Sequence, residues 1–250
     1  LTNSTGASNT AVGSGALQSN TTAANNTAVG ADALVANTTG TQNTAVGAAS
    51  LSSNTTANNN AALGYEALRD NTTGASNTAI GHNSMVVNST GANNTAVGNF
   101  ALLFNTTASN NTAVGLSALQ ANTTGAANTA VGQAALVANT TGYSNTAVGS
   151  LAGDAITTGI NNTTVGRASL TTCTTGGSNV AMGVSALEAL TSASNNVVIG
   201  VNAGAAVTTG PANTFVGTSS GDSVTTGTVN SGFGYASLGE MTGGASTNTG

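Results

Sequence analysis

The side chains that could do chemistry are few. Seven carboxylates, two arginines, one histidine and one cysteine are spread over 250 residues. His82 is the natural general base, but no Ser, Cys or Asp stands at a spacing that would make it half of a nucleophile–base pair. Cys173, alone, offers neither a disulfide framework nor a Cys-based zinc site. Glu66, Arg69 and Asp70 lie close together and read as a solvated ion pair worth under about 1 kcal/mol. The many glycines are not phosphate loops, because no helix pattern follows them and the chain has no lysine. The expectation is a non-enzyme, with no catalytic residue, no metal and no cofactor.

Composition narrows the partners. Only 4% of the residues are charged, against about 25% in an ordinary soluble domain. Arg69 and Arg167 are the only cations, so nothing neutralises a phosphate backbone and nucleic acid is not an expected partner. Asn, Thr or Gly interrupts every apolar run well short of the roughly 20 residues of a membrane span. Disorder through charge is excluded as well, with 39% apolar residues and a net charge of −5.

What positions these residues is a repeat. Gly13, Gly30, Gly47 and their successors to Gly234 recur every 17 residues through fourteen units without insertion. The consensus is Asn-Thr-Ala-Val-Gly-x-x-Ala-Leu-x-x-Asn-Thr-Thr-Gly-x-x, numbered here as slots 1 to 17. Slot 1 is Asn throughout: Asn9, Asn26, Asn43, Asn60, Asn77, Asn94, Asn111, Asn128, Asn145, Asn162, Asn179, Asn196, Asn213 and Asn230. A period held so strictly means that each unit stacks on the last, and the Gly, Asn and Thr content defeats helices. The fold expected is an all-β parallel solenoid, a β-roll of fourteen 17-residue coils. Strands are expected at slots 2–4 and 8–10, with 12–14 as a third candidate, and turns at slots 5 and 15.

The slots also separate inside from outside. All ten Asp, Glu, Arg and His residues fall in slots 6, 7, 10 and 11, which therefore face water. Slot 4 is always a large apolar residue and slot 9 is Leu or Met in eleven units, so both are assigned to the core. Slot 12 is Asn from Asn20 to Asn139 and then Ile156, Cys173, Leu190, Val207, Val224 and Met241. Only an inward position accepts that set, so the asparagines are expected to form a buried amide ladder. The change divides the chain into a regular solenoid at 1–150 and a more apolar continuation at 151–250. Where slot 9 becomes Gly (Gly153, Gly204, Gly221), slot 12 holds Ile156, Val207 or Val224, as if the two shared one volume. Slot 1 is read as amides bonding the turn backbone and each other.

Asn20-Thr21-Thr22 and its successors match the N-glycosylation sequon, yet an inward ladder about 4.8 Å apart cannot carry a glycan on each rung. Slot 17 is better placed, at Asn25, Asn93, Asn110 and Asn161. Aromatic residues at variable slots (Tyr65, Phe100, Phe104, Tyr143, Tyr235) are candidates for surface binding, and Phe100 with Phe104 shares a coil. Threonine columns at slots 13 and 14 suggest an ice-binding array, though neighbouring residues put their hydroxyls on opposite faces.

Each coil supplies only about two large apolar side chains, thin against an ordering cost of roughly 1–2 kcal/mol per residue. The uniform alanines of slots 3 and 8 suggest a surface packed against another backbone, hence a homo-oligomer, most plausibly a trimer. The block Asn-Thr-Ala-Val-Gly-x-x-Ala-Leu at 9–17, 26–34 and 128–136 resembles the repeats of YadA-like trimeric autotransporter adhesin heads and the arrays of phage tail fibres. That resemblance implies a left-handed, trimeric roll at a cell or virion surface. The 17-residue period is longer than the adhesin heads' usual repeat. Leu1 to Gly6 already reads as slots 10–15 and Gly250 falls within a further unit, so no cap is expected at either end. The expected function is an extracellular fibre or adhesin segment that binds itself and host-surface groups or glycans. A self-assembling filament subunit and an ice- or glycan-binding solenoid are the alternatives.

Overall fold

The structure, a computed structural model, describes residues 5–241. The uncapped-end readings at Leu1–Ser4 and beyond Met241 lie outside the described residues, as does the last part of the 151–250 stretch. The fold is an all-β parallel solenoid with one three-residue strand per coil, fourteen in chain order from Thr10–Val12 to Ser231–Phe233. It divides into two compact units, Leu1–Ala126 and Ala127–Gly250. Within each unit successive strands pair in the register of the repeat. Thr27, Ala28 and Val29 lie beside Thr44, Ala45 and Val46 in the first, and Thr146, Ala147 and Val148 beside Thr163, Thr164 and Val165 in the second. A three-residue strand has no stability alone; in-register neighbours supply it.

Among the described residues no strands form at slots 8–10 or 12–14; tight turns stand at the first and bends at the second. Residues in slots 7, 9 and 17 adopt left-handed backbone, as Asp32 (φ 57°), Leu34 (φ 51°) and Asn25 (φ 60°) illustrate. Each costs an L-residue about 1–2 kcal/mol. The offset is that such amides donate to carbonyls of a neighbouring coil. The N–H of Asp32 donates to the Ser14 carbonyl (2.8 Å), that of Leu34 to Ser50 (3.1 Å) and that of Asn25 to Ala7 (3.0 Å).

Slot 1 decides which way the strand faces. The Asn26 side chain is buried; its Oδ1 accepts the Asn43 backbone N–H at 2.9 Å and its Nδ2 donates to the Gly40 carbonyl at 2.9 Å. With slot 1 inward, period-two alternation puts slot 3 inward and slots 2 and 4 outward. Two expectations are thereby corrected. The large apolar residues of slot 4 are not core: Leu63 is 49% and Ile80 39% exposed. The alanine columns are not an outer packing surface, since Ala28, Ala45 and Ala79 in slot 3 and Ala33, Ala67 and Ala101 in slot 8 lie buried inside the roll.

Slot 9 is core as expected, with Leu34, Leu68 and Leu102 fully buried. It lies opposite slot 3: a Cβ on Gly153 would come within 3.2 Å of the Thr164 methyl, and within 2.9 Å of Ile156 Cδ1. Ile156 therefore does fill the space that Gly153 vacates. At Gly204 and Gly221 the occupant differs from the one expected. Phe215, in slot 3 and fully buried, would lie 3.3 Å and 2.7 Å from Cβ atoms at those positions. The missing side chains make room for its ring.

The slot 12 ladder is present. Nδ2 of Asn54 donates to Asn37 Oδ1 (2.9 Å), Asn71 to Asn54 (3.0 Å), Asn88 to Asn71 (2.9 Å) and Asn105 to Asn88 (2.8 Å). Each Nδ2 also donates to the slot 15 carbonyl of its own coil, as from Asn71 to Gly74 at 2.9 Å. Once slot 12 turns apolar, the amide-to-amide contacts move to slot 1. Asn179 then donates to Asn162 (3.1 Å) and Asn230 to Asn213 (3.0 Å).

Candidate functional site

None of the ten charged or histidine side chains is buried, and slots 6, 7, 10 and 11 are exposed or half-buried at every described position except Val86. Tyr65 and His82 follow the slot 5 glycines of successive coils, so the repeat holds their rings one coil apart. They stack with centroids 5.4 Å apart and planes 17° from parallel. Phe100 sits one slot later, in left-handed backbone (φ 60°), and meets His82 edge-on at 5.9 Å and 82°. Beside Tyr65, Arg69 bonds two carboxylates. Nη1 donates to Glu66 Oε2 (2.7 Å), Nε to Asp70 Oδ1 (2.8 Å) and Nη2 to Asp70 Oδ2 (2.9 Å). The carboxylate of Glu66, through a hydrogen bond and its charge, raises the pKa of the Tyr65 phenol, and the bond to Asp70 raises that of Arg69. The fork onto Asp70 is a fixed bidentate geometry.

The other candidates are not gathered here. Phe104, Tyr143 and Tyr235 are exposed, and among the described residues no ring contact joins Phe104 to Phe100. Phe100 packs on His82 of the preceding coil instead, because stacking brings neighbouring slots of successive coils closer than slots 7 and 11 of one coil. His82 is exposed, as a slot 6 residue is expected to be, and it also sits between two rings; the signal for that contact is Tyr65 in the same slot, one period earlier.

The remaining positions divide cleanly by slot. Asn25, Asn93, Asn110 and Asn161 are exposed in left-handed backbone, whereas the slot 12 asparagines are at most 1% exposed and closed to a glycan. Cys173 is buried, which pushes its thiol up to about 11. Among the described residues no three His, Cys, Asp or Glu side chains are grouped to hold a metal, and no helix is long and apolar enough to cross a membrane.

Asp154 is a local fault in this pattern. Its Oδ1 is buried without a hydrogen-bond partner, and burial raises its pKa against the opposing effect of its own and Ala155's backbone amides. A carboxyl whose folded pKa is raised loses stability as pH climbs through that window. Asp154→Asn should therefore stabilise the chain at pH 7, by under about 1 kcal/mol after solvent screening. The gain should fade below the ordinary carboxylate value of 3.8. Melting at pH 7 and pH 3 checks both signs.

A second surface was missed in the sequence. Slots 2 and 4 share the outer face of the strands, so Thr27, Thr44, Thr78 and Thr95 form one column and Val29, Val46, Ile80 and Val97 another beside it. Compared with protein-family models, with curated proteins and with solved structures, the chain matches none.

Proposed function

We propose that the chain is a non-enzymatic segment of an extracellular fibre or adhesin, in which three copies lie side by side through the outer strand face. The observation that carries this reading is the apolar column of slot 4 on the outer strand face of each unit, with Leu63 and Ile80 left exposed in the first and Val148, Met182 and Ile199 in the second. Monomeric proteins rarely leave so extended an apolar surface open. Copies meeting there would bury it and add the large side chains that each narrow roll cannot hold. The resemblance of the Asn-Thr-Ala-Val-Gly blocks to trimeric adhesin heads and tail fibres supports the number three and the surface location. Sedimentation and native mass spectrometry test it. A trimer should dissociate in Ile80→Glu/Val97→Glu, which places charge in the column, and a wild-type monomer at micromolar concentration would remove the reading.

A second reading is favoured by one observation. Slots 2 and 4 pair Thr with Val two residues apart on one strand face, which avoids the opposed hydroxyls of slots 13 and 14. The slot 13 hydroxyls are in addition committed to backbone, as Thr38 Oγ1 to the Thr55 carbonyl at 3.1 Å. A regular Thr-x-Val array is suited to ordering water on an ice lattice. Thermal hysteresis in a chain that stays monomeric would favour this reading over the fibre.

A further inference from the structure

We infer that the first unit carries a binding ledge for a neutral pyranose sugar, with the free face of Tyr65 as its wall. The inference rests on the attachment role proposed above and names the chemistry of the ligand. His82 covers one face of the Tyr65 ring, yet the residue stays 50% exposed. Its other face looks back toward the preceding coil, where slots 6 and 7 are Ala48 and Ala49; slot 6 of the coil before that is Ala31. The aromatic stack therefore ends in a step one coil high, about 4.8 Å, with a floor of methyl groups. That height is comparable to the thickness of a pyranose ring.

The chemistry of the step selects among ligands. An aromatic face carries the negative side of the ring quadrupole, and the polarised C–H groups on one side of a pyranose complement it. Sugar hydroxyls need fixed acceptors, and the Glu66 and Asp70 carboxylates are held by Arg69 with lone pairs to spare. Two carboxylates against one guanidinium leave the site net negative, which disfavours phosphates, sulfated sugars and nucleotides. A single free ring face is too small for a stable protein interface, which takes about 800 Å² per partner, and too open to enclose a quaternary ammonium. Affinity per ledge should be weak, near millimolar, and useful only when copies act together.

Saturation-transfer NMR on the full chain, with cellobiose, lactose and diacetylchitobiose as probes, tests this. At least one probe should receive saturation at its ring C–H protons. Tyr65→Ala should reduce the transfer at least tenfold, and Glu66→Gln should weaken it severalfold. Ala48→Leu keeps Tyr65, Glu66 and Asp70 but covers the free ring face with an aliphatic side chain of the kind slot 6 holds at Leu116, and should abolish transfer while leaving the melting curve unchanged. Phe104→Ala and Tyr143→Ala should behave as wild type. No transfer from any of the three probes, or equal transfer in Ala48→Leu, overturns the ledge. The fibre reading is decided separately by oligomeric state: a monomer that binds sugar sinks only the trimer, and a trimer that binds none sinks only the ledge.

Discussion

Gly81→Ala should cost more than about 3 kcal/mol, a large share of the stability of any domain. Gly81 holds φ at +132°, and a Cβ there would stand 2.6 Å from the Gly98 carbonyl oxygen and 2.7 Å from its carbon. Both are backbone atoms of the next coil, so no side chain can swing aside. The backbone conformation is itself nearly closed to L-residues, at about 1–3 kcal/mol, and the overlap adds the cost of prising two coils apart. Coils in a solenoid contact only their neighbours, so hydrogen exchange should accelerate first at the junction of these two coils. Gly74→Ala is the control. A Cβ on Gly74 would also press on backbone of the next coil, the Gly91 carbonyl, but slot 15 has no positive φ and the coils already accommodate alanine there at Ala23, Ala57 and Ala108, so denaturant melts should show a much smaller loss. Equal losses at the two sites would refute the assignment of slot 5 as the obligatory glycine.

Asn71→Leu should destabilise the first unit by about 2–4 kcal/mol, although leucine occupies the same slot at Leu190, fully buried. In the ladder Asn71 donates to Asn54 Oδ1 (3.0 Å) and accepts from Asn88 Nδ2 (2.9 Å). Removing it strands one acceptor and one donor in the interior, at about 1–3 kcal/mol each, while the gain in buried apolar area returns only part. The Gly74 carbonyl keeps its second donor, Asn60 Nδ2, at 2.9 Å, so it adds little. Leu190 incurs no such cost because its neighbours Cys173 and Val207 are apolar too. The column is tolerant as a whole and intolerant rung by rung. Chemical denaturation of the single variant measures the difference, and wild-type stability in Asn71→Leu would show that the amide bonds contribute nothing net.

The same contrast marks what could be read from the residues alone. The 17-residue period, the stacking of coils and the outward slots 6, 7, 10 and 11 were legible, because a ladder repeats every environment and each column samples its position many times. The inward slot 12 was legible for that reason too: a column that changes from Asn to Ile156, Cys173 and Leu190 has to be buried. The site was only half legible. Tyr65 and Phe100 stood out as exposed aromatics, but Phe100 was paired with Phe104 along the chain, whereas the coil spacing pairs it with His82.

Sequence by itself determined the period, the obligatory glycine and the two asparagine columns, since each follows from backbone sterics or from the need of a buried amide for partners. Only the tertiary structure decided the facing of the strand. Thr-Ala-Val can turn either its alanine or its valine inward, and hydrophobicity alone favours valine. The closed roll reverses that choice. Slot 1 must point in to bond the slot 15 carbonyl, alternation carries slot 3 in with it, and Leu at slot 9 already fills the narrow interior opposite. Valine is left outside, where it forms the surface on which the proposed assembly depends.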